Sequence, residues 1–323
     1  MRAIEVKRTG GPEVLELVDV PAPLPAAGQV LVKVHSAGIN FIDVYLREGR
    51  YPSTLPAIPG QEGAGIVTGL GEGATGFHEG DRVAWANAHG SYAEYVCVPA
   101  AELIPLPSDV RLDDAAAVLV QGLTAHYLAH DTYAIRPGDT VLVHAGAGGV
   151  GLLLTQMAKR LGARVLTTVS TAGKAELSRQ AGADRVINYV TESFVEAVKS
   201  ETGGERLPVV YDSVGKTTFE DSLKCLRPRG LMVLYGASSG AVPPFDLIRL
   251  SQMGSLYVTR PTMKDYLRTR METERRVKDV LGWIGSGELK VRIGQRYKLE
   301  DAAQAHRDLE ARKTTGKILL TMQ

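Results

Sequence analysis

A glycine turn set between an apolar strand and a helix-forming run limits the folds open to this chain. Thr140–Val143 leads into His144-Ala-Gly146-Ala-Gly148-Gly149-Val-Gly151, and a helical stretch follows from Val150 to Leu161. A G-x-G-x-x-G pattern alone is weak. In this register the glycines allow a tight turn, close backbone approach to a pyrophosphate, and close helix–strand packing. The unpaired N–H groups at the helix start, and the helix dipole, favour the phosphates. Gly148, Gly149, Val150 and Gly151 therefore read as the phosphate cradle of a dinucleotide site.

The surrounding rhythm supports that reading. From about residue 125, short apolar runs alternate with helical stretches, as in a parallel α/β sheet. Strands are expected at Thr140–Val143, Arg164–Val169, Arg185–Ile187, Val209–Tyr211, Leu231–Tyr235 and Leu256–Thr259. Helices are expected at Val150–Leu161 and Ala172–Ala181, each stopped by a glycine, Gly162 or Gly182. Upstream the chain is β-rich and turn-rich, with strands at Val30–Val34, Asp81–Trp85 and Tyr92–Val98 and a glycine cluster at Gly69–Gly80. Beyond Pro261 the expectation is a charged helix over Lys264–Ile284 and a short strand at Val291–Ile293. A helix at Asp301–Ala311 and a strand at Lys317–Thr321 complete it. The simplest organisation inserts residues 125–261, a dinucleotide-binding domain, into a discontinuous first domain of residues 1–124 and 262–323.

Composition narrows the partners. With 37 Lys+Arg against 36 Asp+Glu, the net charge of +1 gives no general attraction to nucleic acid or an acidic membrane. Apolar runs such as Ala115–Val120 fall far short of the roughly 20 residues that span a bilayer. The N-terminus alternates like a strand and carries no signal-peptide core. Cys97 and Cys225, the 2 cysteines, have no metal or redox spacing. One disulfide is arithmetically possible; two thiols in a reducing compartment is the preferred reading. No Ser-His-Asp arrangement or carboxylate pair can be argued from spacing.

Nucleotide choice is read at the end of the second strand of the α/β unit. There the chain runs Val169-Ser170-Thr-Ala-Gly-Lys174, with no acidic residue before Glu176 to accept a ribose 2′-hydroxyl. Ser170 and Lys174 suit a 2′-phosphate, so NADPH is expected over NADH.

The whole chain resembles the medium-chain dehydrogenase/reductase superfamily, which joins a GroES-like catalytic domain to a Rossmann domain. The zinc enzymes of that superfamily carry G-H-E-x-x-G-x-x-x-x-x-G, whose histidine binds the catalytic metal. Here the segment is Gly60-Gln61-Glu62-Gly63-Ala-Gly65-Ile-Val-Thr-Gly69-Leu-Gly71, and Asn40 follows Ala37-Gly-Ile39 where a cysteine ligand is expected. Two amides are a poor zinc set, and two cysteines cannot build a four-cysteine structural site. No metal is expected.

Within the superfamily the sequence is similar to the NADPH:quinone oxidoreductase, or zeta-crystallin-like, family. The residues that carry the similarity are Asn40-Phe-Ile-Asp-Val-Tyr45-Leu-Arg-Glu-Gly49, Gln121-Gly-Leu-Thr124, His144–Gly151, Val209-Val-Tyr-Asp-Ser-Val-Gly215 and Gly254-Ser-Leu-Tyr-Val-Thr-Arg-Pro261. The resemblance implies an enzyme that reduces quinones with NADPH. It places Asn40 and Tyr45, the expected catalytic residues, and Thr124 near the nicotinamide. Ser170 and Lys174 fall at the 2′-phosphate and Tyr189 near the adenosine. Tyr235, Gly236, Ala237 and Ser238 line the cofactor groove, and Val258, Thr259, Arg260 and Lys317 are further contact positions. Taken without it, Asp43 could simply cap the helix running toward Arg47, and Lys317 would read as a solvated terminal lysine. A cytoplasmic homodimer is implied, with the Leu231–Tyr235 to Thr259 region as a candidate pairing edge. The rivals are an NADPH-dependent reductase of enones or alkenals and a nonenzymatic NADPH- or RNA-binding protein.

Overall fold

The computed structural model describes Met1 to Met322; Gln323, the last residue of the expected returning segment, lies outside the described residues. Contacts divide the chain into two compact units, Met1–Val120 with Val277–Gln323, and Gln121–Arg276. In the first, β1 (Arg2–Glu5) pairs antiparallel with β2 (Glu16–Asp19). Then come β3 (Gln29–Ile39), α1 (Phe41–Arg47), β4 (Glu62–Leu70), β5 (Arg82–Trp85), β6 (Tyr95–Pro99) and β7 (Ile104–Pro105). The helix α2 (Leu112–Tyr127) leads out of this unit. Val30, Val32 and Val34 are buried while Lys33 is exposed, the period-two pattern of a strand with one covered face.

The second unit follows the expected alternation. Its strands are β8 (Thr140–Val143), β9 (Arg164–Val169), β10 (Arg185–Asn188), β11 (Leu207–Asp212), β12 (Leu226–Leu234) and β13 (Tyr257–Thr259). They form one sheet in the order β10-β9-β8-β11-β12-β13, every pairing parallel. All six residues of β11 are buried, as a central strand covered on both faces requires. The helices are α3 (Gly149–Arg160), α4 (Ala172–Gln180), α5 (Phe194–Glu201), α6 (Phe219–Lys224), α7 (Ile248–Gln252) and α8 (Met263–Tyr266). Gly162 at φ +81° and Gly182 at φ +100° stop α3 and α4, in a conformation that a side chain would strain.

The helix α9 (Arg270–Gly285) begins in the second unit and passes at Val277 into the first, which is completed by β14 (Ile293–Lys298), α10 (Ala302–Glu310) and β15 (Lys317–Thr321). Its sheet runs β14-β15-β3-β4-β5-β7, with β6 also on β3. The final strand thus lies beside β3, pairing Ile318 with Ile39 and Leu320 with Ala37. That register sets Lys317 next to the end of β3, where α1 begins.

Beyond Pro261 two expectations needed correction, and upstream the strand expected at Tyr92–Val98 runs instead from Tyr95 to Pro99. The single charged helix over Lys264–Ile284 is two helices. The Tyr266 carbonyl accepts from Arg276 Nε at 3.0 Å, and α9 restarts on a capping box. There the Thr269 N–H donates to Glu272 Oε2 at 3.1 Å, and the Glu272 N–H to Thr269 Oγ1 at 3.2 Å. The strand expected at Val291–Ile293 instead begins at Ile293, because its ladder with β15 starts at the Ile293–Lys317 pair. No helix among the described residues is long and apolar enough to cross a membrane.

Candidate active site

In an all-parallel sheet the carboxyl ends of the strands share one edge, and the strand order reverses between β8 and β11. Ligands of such sheets bind outside that edge, at the reversal. The nucleotide residues expected from the sequence collect there. Gly146–Gly151 follow β8, Ser170 follows β9, Tyr189 follows β10, Tyr235–Ser238 follow β12 and Arg260 follows β13. Thr124 stands on α2 in the same unit and hydrogen-bonds Tyr127. Val258 and Thr259 lie on β13 itself.

The glycine turn fits a pyrophosphate. A Cβ on Gly151 would overlap the Ala145 carbonyl oxygen, so this position sets how closely α3 approaches the turn. A Cβ on Gly146 would come 2.5 Å from Thr167 Cβ, so that glycine lets the turn cross β9. Gly148 differs: its Cβ would meet only Ala145 atoms, the nearest at 3.2 Å, leaving the approach to the helix start open. Gly148 is the N-cap of α3, and the first-turn N–H groups have no acceptor within the helix. Beyond β9, Thr171 rather than Ser170 caps α4, accepting from the Lys174 N–H at 3.3 Å. Ser170 Oγ is left to accept from Lys174 Nζ at 3.5 Å. A hydroxyl and an ammonium side by side, with no acidic residue in the sequence between Ser170 and Glu176, match a 2′-phosphate.

The segments around Tyr235 are held from β11. Asp212 Oδ1 accepts from the Val214 and Gly215 N–H groups at 2.7 and 3.0 Å, and Ser238 N–H donates to the Ser213 carbonyl at 3.1 Å. Asp212 also gathers Ser222 and, through it, His144, whose Nε2 is 3.0 Å from Ser222 Oγ. His144, 78 residues before Ser222, thus meets the Asp212–Ser222 pair. All are buried and the serine lies between the other two, so the trio braces the loop and exposes no nucleophile.

The first unit builds a second cluster where β3 passes into α1. Lys317, fully buried, donates from Nζ to Asn40 Oδ1 at 2.7 Å and forms a short ion pair with Glu62 Oε2. Asn40 Nδ2 donates to Glu62 Oε2 at 2.9 Å and to the Gly38 carbonyl at 3.3 Å. Because Lys317 can only donate, the orientation of the Asn40 amide is fixed, and both its hydrogens are engaged within the chain. Glu62 Oε1 accepts from the Val120 N–H at 2.7 Å. Gly38 makes the approach possible, since a Cβ there would come 2.6 Å from Lys317 Cε and 2.5 Å from the Ala116 carbonyl.

A deeper layer supports this one. Asp43 Oδ2 accepts from the Asn40 N–H at 2.8 Å and from the Tyr92 hydroxyl at 3.0 Å. Tyr92 meets His306 Nε2 at 3.2 Å, and His306 Nδ1 meets Arg47 Nη1 at 3.0 Å; Arg47 also reaches Glu310 at 2.7 Å. Burial pushes the Asp43 carboxyl up to about 6, against the opposing pull of its two donors and Lys317. Burial, assisted by the Arg47 charge, pushes His306 down to about 3. Tyr92 rises well above a normal phenol through burial and the Asp43 charge. Tyr45, on the same helix as Asp43, packs edge-on against Tyr51 at 5.7 Å, with the Arg50 guanidinium 5.4 Å from its ring centre.

Asn40 and Lys317, expected on the strength of resemblance, thus share one hydrogen-bonded cluster, and Tyr45 stands one turn beyond. The sequence reading assigned no role to Glu62, Tyr92 or His306. Glu62 had a signal, as the carboxylate directly after Gln61 in the glycine segment. Tyr92 and His306 had none, because their partners are brought in by long-range pairing.

Residues 26–108 match the alcohol dehydrogenase GroES-like domain, and residues 149–284 match the zinc-binding dehydrogenase family. The chain is 45% identical over 321 residues to a quinone oxidoreductase of Pseudomonas aeruginosa, covering 99% of each chain. It is 39% identical to a 2-haloacrylate reductase from a Burkholderia species, again covering 99% of each. The crystal structure of the Escherichia coli quinone oxidoreductase complexed with NADPH superposes with a TM-score of 0.97 at 46% identity, covering 99% of this chain and 100% of that one.

Proposed function

We infer that this chain, which belongs to the quinone oxidoreductase family of the medium-chain dehydrogenase/reductase superfamily, is an NADPH-dependent quinone reductase. The observation that carries the cofactor choice is the Ser170–Lys174 pair at the carboxyl end of β9, beside a glycine turn open at Gly148. NADPH supplies the reducing equivalents, and the chain supplies binding and orientation. The α3 N-terminus holds the pyrophosphate with Gly148–Gly151. Ser170 and Lys174 hold the 2′-phosphate, Tyr189 flanks the adenosine, and Thr124, Tyr235–Ser238, Val258, Thr259 and Arg260 complete the cofactor contacts. In this proposal residues 125–261 are the nucleotide-binding domain, and residues 1–124 and 262–323 the catalytic one.

Asn40 and Tyr45 serve the nicotinamide and the acceptor. With both Asn40 hydrogens engaged, that residue acts as a fixed polar wall, and Tyr45 is the side chain proposed to meet the acceptor oxygen. Zinc has no part in the proposed reaction. Amides stand at the two expected ligand positions, Asn40 and Gln61, and the Asn40 carbonyl oxygen is already engaged by the Lys317 ammonium, which leaves a poor ligand set for zinc. A homodimer in the cytoplasm is the proposed working form.

Similarity to a 2-haloacrylate reductase keeps one alternative in view, reduction of an activated C=C bond. That chemistry must deliver a proton to carbon, and a quinone does not require this of the protein. NADPH oxidation with 1,4-benzoquinone, 1,2-naphthoquinone and an enone separates the readings, run in parallel with NADH. Quinone turnover with an NADPH preference is expected. Turnover of the enone alone would assign the second reading, and an NADH preference would remove the assignment of Ser170 and Lys174.

A further inference from the structure

Asp43 is buried, and its two carboxylate oxygens are treated unequally. Oδ2 accepts from the Asn40 N–H and the Tyr92 hydroxyl, whereas Oδ1 has no hydrogen-bond partner in the chain. Asn40 is the N-cap of α1 and Tyr45 lies two residues past Asp43 on the same helix. The carboxylate therefore ties down the start of the helix that carries both residues proposed for the reaction.

We propose that Asp43 is a positioning residue for quinone reduction, whose ionised carboxylate fixes Asn40 and Tyr45 by gripping the Asn40 N–H and the Tyr92 hydroxyl together. This rests on the quinone-reductase reading of the site.

The groups facing Asp43 make its charge conditional. Lys317 on β15 and the two donors favour the ionised form; Glu62 on β4 and burial oppose it. Arg47, on the same helix, acts one step removed through His306 on α10. An arginine can only donate, so His306 Nδ1 accepts from it. Neutral His306 then carries its hydrogen on Nε2 and donates to the Tyr92 oxygen. That leaves the Tyr92 hydroxyl hydrogen for Asp43. The chain of donors points inward, and Asp43 is its terminal acceptor. With a carboxyl raised to about 6, mild acidification protonates that acceptor and weakens both grips.

The test is kcat/KM for 1,4-benzoquinone at saturating NADPH from pH 5 to 8, in the wild type, Asp43→Asn and Tyr92→Phe. The wild type is expected to lose up to about tenfold between pH 7 and 5, as the ionised fraction of a carboxyl titrating near 6 falls from about nine-tenths to about one-tenth. Asp43→Asn, which keeps the shape but cannot ionise, should be slow and flat across the range. Tyr92→Phe removes a donor that favours the charged form, so its midpoint should move to higher pH. An acid limb that persists in Asp43→Asn, or an unmoved midpoint in Tyr92→Phe, overturns the assignment of Asp43. If Asp43→Asn does not fold, the direction of the Tyr92→Phe shift decides alone. No quinone turnover by the wild type at any pH would overturn the activity reading itself, before any variant is compared.

Discussion

Two buried groups of the first unit leave opposite marks on stability. Asp43 titrates near 6 in the folded chain, above the roughly 3.9 of an unfolded aspartate, so the folded state holds the proton more tightly. Its contribution is full below about pH 4 and is lost as pH rises through about 6. His306 titrates near 3, below the roughly 6.5 of an unfolded histidine, so here the unfolded state holds the proton. Its contribution is present above about pH 6.5 and is lost as pH falls toward 3. Between about pH 4 and 6 the two slopes, one proton each, oppose one another. Urea unfolding across that window should therefore show little contribution from the pair in the wild type. Removing one group unmasks the other: stability should rise with pH relative to wild type in Asp43→Asn, and fall with pH in His306→Gln. Parallel curves for all three proteins would exclude this account. Neither behaviour was legible from the sequence, where Asp43 was a candidate cap and His306 one of 7 scattered histidines. Lys317 makes the same point. Its partners lie 277 and 255 residues away, so a lysine that local reading left in solvent is fully buried.

At the scale of elements the glycines separate into those that packing demands and those that it tolerates. Gly151 has no room for a Cβ, since the obstructing atom is a backbone carbonyl that cannot rotate away. Gly151→Ala must push the start of α3 off the turn, and NADPH affinity measured by fluorescence titration should fall tenfold or more, about 1.4 kcal/mol. Gly282, within α9, would place a Cβ in open space. Gly282→Ala should stabilise the chain by roughly 0.5–1 kcal/mol through helix propensity, with unchanged NADPH affinity. Equal effects of the two substitutions would refute this division. The strands of the parallel sheet were legible because each is a short apolar run bounded by turns. The helices α3 and α4 were legible because glycines stop them. The short helices α5 and α6 went unread, although Ser193 and Glu196 stand at capping spacing and the Ser193 hydroxyl accepts from the Glu196 N–H at 3.4 Å. The missed break between α8 and α9 had a comparable signal, Thr269 followed three residues later by Glu272. Charge along the segment masked it.

Over the whole molecule, sequence rhythm predicts how many parallel strands to expect but not their order, because order is a non-local property. The observed order leaves β13 at the edge of the six-stranded sheet. Within β13 that edge carries neither charge nor proline, which begin only at Arg260 and Pro261: Tyr257 is 60% exposed and Val258 38%. The segment approaching it adds Leu247 and Ile248, at 73% and 56%. A net charge of +1 puts little long-range repulsion between copies. An unpaired strand edge with exposed aromatic and branched side chains is the natural place for a second copy to add its own edge strand. Sedimentation of the wild type at micromolar concentration should therefore give a dimer, and Tyr257→Lys should shift it toward monomer. Because Tyr257 lies on the strand ahead of the proposed nucleotide contacts Val258–Arg260, NADPH affinity of the variant reports whether the edge also steadies those contacts. A variant that stays dimeric would place the pairing surface elsewhere on the chain.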